Sequence, residues 1–273
     1  MDKRLRIAFI GAGKVGCSLA RYLGESGAAD IAGFFSRSES STREAVEFAG
    51  GAAFTSLADI AEAADAVFVT TPDGAIREIA GELAACGVDL DGKIIVHCSG
   101  ATSSEALAAC RDTGALVASM HPLYAVSSRF DCWQELGRAW FSLEGDEAAV
   151  GTLEALLDNQ GNKHGRIDAA QKTRYHAAAV MASNLVVGLY DMAAGELARC
   201  GLDRAEAESA LAALFLGNAQ HIASDGVEAS LTGPAARGDQ ATIDGHLACL
   251  DGRDRQVYEL LTEELLEIAA RRK

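Results

Sequence analysis

Short apolar runs alternate with Ala- and Glu-rich amphipathic stretches from residue 5 to about residue 168. βαβ units produce that order, so it predicts a largely parallel sheet with helices packed on it. Strands are expected at Leu5–Ile10, Ile31–Phe35, Ala66–Thr70, Ile94–His97, Leu116–Met120, Ala139–Leu143 and His164–Ile167. The first of these are apolar nearly throughout instead of alternating, which suits strands covered on both faces. Past Asp168 the texture changes. Ala169–Cys200 has no proline, almost no strand signal, and the small-plus-large apolar spacing of a long buried helix, with Gly201 placed to end it. A second helix is expected from about Asp203 to Ala223, then a loop from Ser230 to Gly238, then two helices starting near Asp239 and Arg253. The last carries Arg271, Arg272 and Lys273 at its C-terminus, where the helix dipole favours cations. The chain thus divides into an α/β part, residues 1–168, and an all-helical part, residues 169–273, expected to pack together around a cleft.

Composition narrows the function classes. A chain of 273 residues, 49% hydrophobic, can bury a large core. Lys and Arg total 24 against 39 Asp and Glu, a formal net charge of -15, which repels nucleic acid and anionic membrane on average. An anionic ligand must therefore meet a local positive site. Met1 to Arg6 runs straight into a short apolar strand, unlike a signal peptide, and no apolar stretch reads as long enough to span a bilayer. A cytoplasmic protein with no nucleic-acid or membrane partner is the expectation. The seven cysteines are scattered without CxxC spacing, so they read as reduced thiols, with no metal site expected.

The first specific chemistry lies at Gly11-Ala12-Gly13-Lys14-Val15-Gly16, directly after an apolar strand and directly before the helical run from Cys17 to Leu23. In that context a GxGxxG run predicts a dinucleotide site in a doubly wound Rossmann domain. Gly11 would make the tight turn, Gly13 would let the backbone approach a pyrophosphate, and Gly16 would allow close helix-to-strand packing, with the anion resting on the helix N-terminus. The bland alternative is a glycine-rich turn that binds nothing. About twenty residues on, where an NAD site usually offers a carboxylate, the chain has Ser36-Arg37-Ser38. Two hydroxyls and a guanidinium suit a dianionic 2′-phosphate, so NADP is the expected cofactor. Against this, Arg37 and Arg43 could be solvated charges, and Glu39 weakens the local field. Further cofactor contacts are expected where later strands end, at Thr70-Thr71-Pro72-Asp73 and at Ser99-Gly100, with His97 at least as readily structural as functional.

Reaction chemistry is sought on the helix after Asp168. Lys172, His176 and Ser183 stand at i, i+4 and i+11, one stripe of an uninterrupted helix, with alanines between. Hydride transfer to a carbonyl or iminium carbon needs a proton donor, and a Lys or His tuned by burial can supply it. Lys172 could equally lie exposed at the helix start, and His176 could be a satisfied core group. Arg237 could pair with a substrate carboxylate, and Asp239 either joins it or caps the helix Gln240-Ala241-Thr242-Ile243. His121-Pro122-Leu123, at the end of the fifth parallel strand, is a candidate for the cleft rim.

On the glycine run, His121-Pro122-Leu123, Lys172 with Tyr175-His176-Ala177-Ala178-Ala179, Ser183-Asn184, and Leu231-Thr232-Gly233-Pro234 with Arg237-Gly238-Asp239, the chain resembles a known family. It is similar over nearly its whole length to the Rossmann-like oxidoreductases that carry a C-terminal domain of unknown function, family 2520. These are distant relatives of pyrroline-5-carboxylate reductase, ketopantoate reductase and 6-phosphogluconate dehydrogenase. The resemblance implies an NADPH-binding domain followed by a helical domain that forms the substrate cleft and commonly a dimer interface, hence a homodimer. It implies reduction of a small carboxylate-bearing ketone or imine, ketopantoate-like or pyrroline-carboxylate-like. The catalytic candidates are then Lys172, His176, Ser183 and Asn184, with His121, Arg237 and Asp239 on the substrate. One departure stands out: the superfamily's dehydrogenases usually place Asn four residues after the catalytic Lys, and here that residue is His176. Two alternatives stay open, a deazaflavin-linked NADP oxidoreductase and a non-catalytic NADP-binding sensor or scaffold.

Overall fold

The computed structural model describes residues 4–272. Met1, Asp2 and Lys3, read as leading into the first strand, and Lys273, expected at the last helix end, lie outside the described residues. Among the described residues eight strands form one sheet: β1 (Leu5–Ile10), β2 (Ala29–Phe35), β3 (Ala52–Ala53), β4 (Ala66–Val69), β5 (Ile94–His97), β6 (Leu116–Leu123), β7 (Trp140–Gly145) and β8 (Lys163–Arg166). Their order is β3-β2-β1-β4-β5-β6-β7-β8, and all neighbours are parallel except β6 with β7. The direction of winding reverses between β1 and β4, and in open parallel sheets that switch point opens a crevice beyond the strands' C-terminal ends.

Each expected strand is found, and the differences have physical causes. β3 is two residues long, too short to leave a pattern in the sequence. β6 runs on through His121, Pro122 and Leu123 because antiparallel β7 pairs there, His121 opposite Ser142 and Leu123 opposite Trp140. His121 is therefore a strand residue held by the sheet.

The central strands alternate sides while staying apolar. Ile7 and Phe9 enter one buried cluster, with Leu19 and Leu23 of the helix Lys14–Glu25, while Ala8 and Ile10 enter the other, with Ile60, Ile76 and Leu83. Phe9 packs between Phe34 and Phe68, ring centroids 5.4 Å away on each side. Fully burying such a side chain contributes roughly 1.5–3 kcal/mol, so a core covered on both faces is a firm base for the loops at its rim.

The chain forms two compact units, Met1–Ser183 and Asn184–Lys273. The second is all helical, with Asn184–Ala198, Arg204–Asp225, Val227–Ser230, Gly233–Arg237, Gln240–Cys249 and Gly252–Arg271. Asp203 and Glu206 close a reciprocal capping box at the start of the longest of these. Three expectations need correction. The stretch Ala169–Cys200 is two helices, Lys172–Ala182 and Asn184–Ala198, because Ser183 leaves helical geometry at φ -131, ψ -80. The loop from Ser230 to Gly238 contains the short helix Gly233–Arg237, with Pro234 in its first turn and Gly238 ending it at φ +68. The apolar run Ala169–Ala198 is, by length and composition, apolar enough to cross a membrane, with mean hydropathy 1.4 and only 6% of that window buried in the single chain. Its basic residues, Lys172, Arg174 and His176, crowd into the first turns and leave the remainder nearly uncharged.

Candidate functional site

The glycine run makes a turn with almost no free space inside it. Gly11, at φ +112, donates its N–H to Phe35 O at 2.8 Å, and Thr70 N–H reaches Ile10 O at 2.8 Å. A Cβ on Gly11 would stand 2.8 Å from Thr70 backbone atoms, and one on Gly16 would stand 2.4 Å from Gly11 O and 2.5 Å from Thr70 Oγ1. Real Cβ atoms do not approach that closely. Thr70 spends its hydroxyl on the turn itself, donating to Gly11 O at 2.9 Å. Gly13 differs, since a Cβ there would meet nothing within 4 Å. It is the N-cap of the helix Lys14–Glu25 and offers no side-chain cap, so the N–H groups of that first turn point outward unsatisfied. Ala12 is buried, Val15 half-buried and Lys14 exposed. A cradle closed inside, open at Gly13 and lined by helix N–H groups fits the pyrophosphate of a dinucleotide.

At the end of β2, Ser36 Oγ donates to Ser38 O at 2.9 Å and shares a 2.8 Å bond with Thr42 Oγ1. Ser38 caps the helix Glu39–Ala49, its Oγ accepting from Ser41 N at 3.3 Å. Both hydroxyls therefore shape the turn. Arg37 is exposed and has no ion-pair partner among the described residues, whereas Arg43 lies 3.9 Å from Glu39.

Beyond β4, β5 and β6 a second set of groups converges. Thr71 Oγ1 is buried with no hydrogen-bond partner among the described residues, and exposed Pro72 leads into the turn Asp73–Ala75. Ser99 is engaged at every polar atom. Its N–H donates to His97 Nδ1 at 3.2 Å and its hydroxyl donates to Asp73 Oδ2 at 2.8 Å. The same hydroxyl accepts from Ala101 N and Thr102 N, and its carbonyl accepts from Lys172 Nζ at 2.8 Å. Lys172 is only 2% exposed, and its ammonium also donates to Ser119 Oγ at 2.8 Å. Burial pulls its pKa down, opposed by Glu144, Cys98 and Asp73. Lys172, a candidate proton donor, clamps the Ser99 turn from inside, because one acceptor just after β5 and one on β6 draw its ammonium inward.

One turn further along the same helix, His176 faces the same loop. A Cβ on Gly100 would lie 2.7 Å from His176 Cδ2 and 2.9 Å from His121 Nε2, so both imidazoles rest on the Gly100 backbone. Burial, reinforced by Lys172 and His176, pushes His121 down to about 4, and burial likewise holds His97 at about 4. Both rings are neutral at physiological pH. Tyr175 completes the group, its hydroxyl 2.8 Å from His121 Nδ1.

The first unit thus brings together Lys172, His176, His121, Ser99 and Gly100. It does not extend the stripe to Ser183, whose hydroxyl turns back to Ala179 O at 2.6 Å. Asn184 opens the second unit, where Arg237 lies 3.8 Å from Asp239. Asp239 caps the helix Gln240–Cys249, accepting from Thr242 N at 3.1 Å and Thr242 Oγ1 at 2.7 Å, and these bonds hold its carboxyl below the usual range. Sequence reasoning missed Ser119 and gave Tyr175 no role of its own. A signal existed for Ser119, two residues before His121 and therefore on the same face of the strand.

Two family models match the chain: a Rossmann-like domain over residues 1–122 and a domain of unknown function, DUF2520, over residues 139–265. No curated protein matches. Protein TM1727 from Thermotoga maritima is 28% identical, superposes with a TM-score of 0.75, and the match covers 98% of this chain and 100% of that one. A candidate NADP oxidoreductase, BF3122 from Bacteroides fragilis, is 23% identical at TM-score 0.73, covering 97% and 98%. A pyrroline-5-carboxylate reductase from Coxiella burnetii, 13% identical at TM-score 0.66 and 98% covered on both sides, shares the fold. Residues 1–122 thus match a Rossmann-like domain and residues 139–265 the DUF2520 domain, the pairing that the sequence resembles.

Proposed function

We propose that this protein is an NADPH-dependent oxidoreductase that reduces a small ketone or imine bearing a carboxylate. The observation that carries the reading is the placement of two structures at the same ends of parallel strands. One is the closed glycine cradle after β1, and the other is the imidazole cluster on Gly100 after β5. The pyrroline-5-carboxylate reductase that shares the fold lends the substrate class.

When bound, the reduced nicotinamide supplies hydride. The chain's residues do the rest. The Gly13 backbone and the first N–H groups of the helix Lys14–Glu25 hold the pyrophosphate, and Arg37 pairs with the 2′-phosphate. Thr71, with its buried unpaired hydroxyl, is a further polar contact. Lys172 fixes the Ser99 carbonyl, which keeps the Gly100 backbone rigid beneath the reacting group, and its buried positive charge favours an oxyanion nearby. His176 and His121 are the proton-bearing side chains on that surface.

Arg37 decides between the two nicotinamide cofactors. Arg37→Ala is expected to weaken NADPH binding about tenfold or more and to leave NADH binding unchanged, read by equilibrium titration. Equal affinities for NADPH and NADH in the unaltered protein would sink the NADP assignment.

We also propose a homodimer formed through the helical unit. Leu185, Val187, Leu214, Leu216 and Leu260 are each more than half exposed in the single chain, while few side chains of that unit are buried. Soluble monomers rarely leave apolar surface of that extent uncovered. Light scattering should give twice the chain mass, and Val187→Glu with Leu214→Glu should reduce it to the monomer. A unit that is monomeric before substitution would contradict this.

A further inference from the structure

Tyr175 sits where a helix residue would ordinarily only pack, yet its phenol is committed to an imidazole. The hydroxyl lies 2.8 Å from His121 Nδ1, and the two rings meet edge to face, centroids 5.6 Å apart at 89°. Across the same imidazole, Nε2 and Cε1 stand 2.9 and 3.0 Å from where a Gly100 Cβ would be. His176 closes the flank, its ring 6.3 Å from that of His121. Ser142, opposite His121 in the β6–β7 pairing, is buried, so the couple is walled by the sheet on its inner side.

Ordinary acidities leave both groups neutral. A phenol keeps its proton at neutral pH, and a neutral imidazole has one bare nitrogen. Burial keeps His121 neutral and pushes the Tyr175 phenol up, so both conditions hold across the physiological range. Of the two tautomers open to the pair, the relay requires the one in which Tyr175 O–H donates to Nδ1 and the imidazole carries its own proton on Nε2, the atom against Gly100.

We propose that Tyr175 and His121 form a proton relay that delivers to a substrate atom lying over Gly100, with Tyr175 as the source and His121 as the group that touches substrate. The proposal rests on the reductase reading. When a carbonyl carbon accepts hydride from the reduced nicotinamide, the C=O π bond opens and its electron pair stays on oxygen. That oxygen takes the Nε2 proton, Nδ1 takes the phenol proton, and Tyr175 is left as phenolate; the relay resets when Nε2 takes a proton from water and Nδ1 returns its proton to the phenolate. Imidazole enters and leaves neutral. Net transfer from a phenol to an alkoxide is downhill, since an alkoxide is much the stronger base.

Tyr175→Phe keeps the ring and its edge contact and removes only the O–H. We expect kcat to fall on the order of 100-fold, with KM and NADPH affinity within about twofold. His121→Gln should lose about as much, and the double variant little more, because the two act in series. In the unaltered enzyme kcat should hold level from neutral pH to near 10, where a lone imidazolium donor would decline above about 6.5. Nitrogen NMR of His121 gives a reading independent of turnover: Nε2–H at neutral pH in the wild type, and a tautomer mixture in Tyr175→Phe. Full kcat in Tyr175→Phe, or Nδ1–H in the wild type, overturns the relay. If the wild type consumes no NADPH, the reductase reading fails by itself, and the tautomer still decides whether the couple is built as described.

Discussion

Gly16→Ala is expected to weaken NADPH binding roughly ten- to a hundredfold while leaving the helix content intact. The new Cβ would stand 2.4 Å from Gly11 O and 2.5 Å from Thr70 Oγ1, and neither neighbour can yield cheaply. Gly11 O is held by Thr70 Oγ1 at 2.9 Å, and Gly11 N is tied to Phe35 O at 2.8 Å. The helix Lys14–Glu25 must therefore lift off β1, and the N–H groups of its first turn move with it. Overpacking of this kind costs about 1–3 kcal/mol, which is the source of the expected range. Gly13→Ala separates two causes, because its Cβ meets no protein atom within 4 Å. A loss of affinity there, at unchanged melting temperature, reports contact with the ligand alone. Titration by NADPH fluorescence together with circular dichroism reads both variants, and wild-type affinity in Gly16→Ala would show that the turn is not the cofactor's seat.

The second large effect is acid destabilisation of the first unit. His97 and His121 are each pushed down to about 4, while the unfolded chain holds ordinary imidazoles near 6.5. Above about 6.5 both states are neutral and the shifts cost nothing. As pH falls below that, the unfolded chain takes up protons that the native chain refuses until about 4, so stability drops through this window. Each ring accounts for about 3 kcal/mol when the window is crossed. Two together rival the whole stability of a typical domain, roughly 5–15 kcal/mol. Urea unfolding followed from pH 7 to pH 4.5 should show the midpoint falling steeply. His97→Asn keeps an acceptor for Ser99 N–H, and with His121→Asn it should flatten the slope. A midpoint unchanged over that interval would mean that the rings are not buried neutral.

The parallel core was legible because apolar runs such as Ala66–Val69 and Ile94–His97 are bounded by turn residues and separated by amphipathic helices. The extension of β6 was not, since it depends on antiparallel pairing with Trp140–Gly145, which no local pattern announces. The tight turn at Gly11 and Gly16 could be read from glycine spacing, because the steric demand and the sequence signal are the same thing. Lys172 shows the limit of such reading. A Lys four residues before a His looks like a reactive pair, but whether the ammonium turns inward depends on acceptors 73 and 53 residues away in the chain. Ser183 joined the stripe only if the helix continued, and it stops at Ala182. Tyr175 was passed over because a tyrosine on a helix reads as packing until its hydroxyl partner is known. Apolar content likewise marked Ala169–Cys200 as covered without saying by what, and within one chain most of it is exposed.

Whether the glycine cradle and the Gly100 cluster together make a reductase is decided by NADPH consumption. Purified protein would be assayed with small keto acids and cyclic imines bearing a carboxylate, beside Gly16→Ala and a no-substrate control. Substrate-dependent oxidation of NADPH is expected with at least one member of the panel, much reduced in Gly16→Ala. Tight NADPH binding with no consumption across the whole panel would contradict it and favour a protein that senses the cofactor without using it.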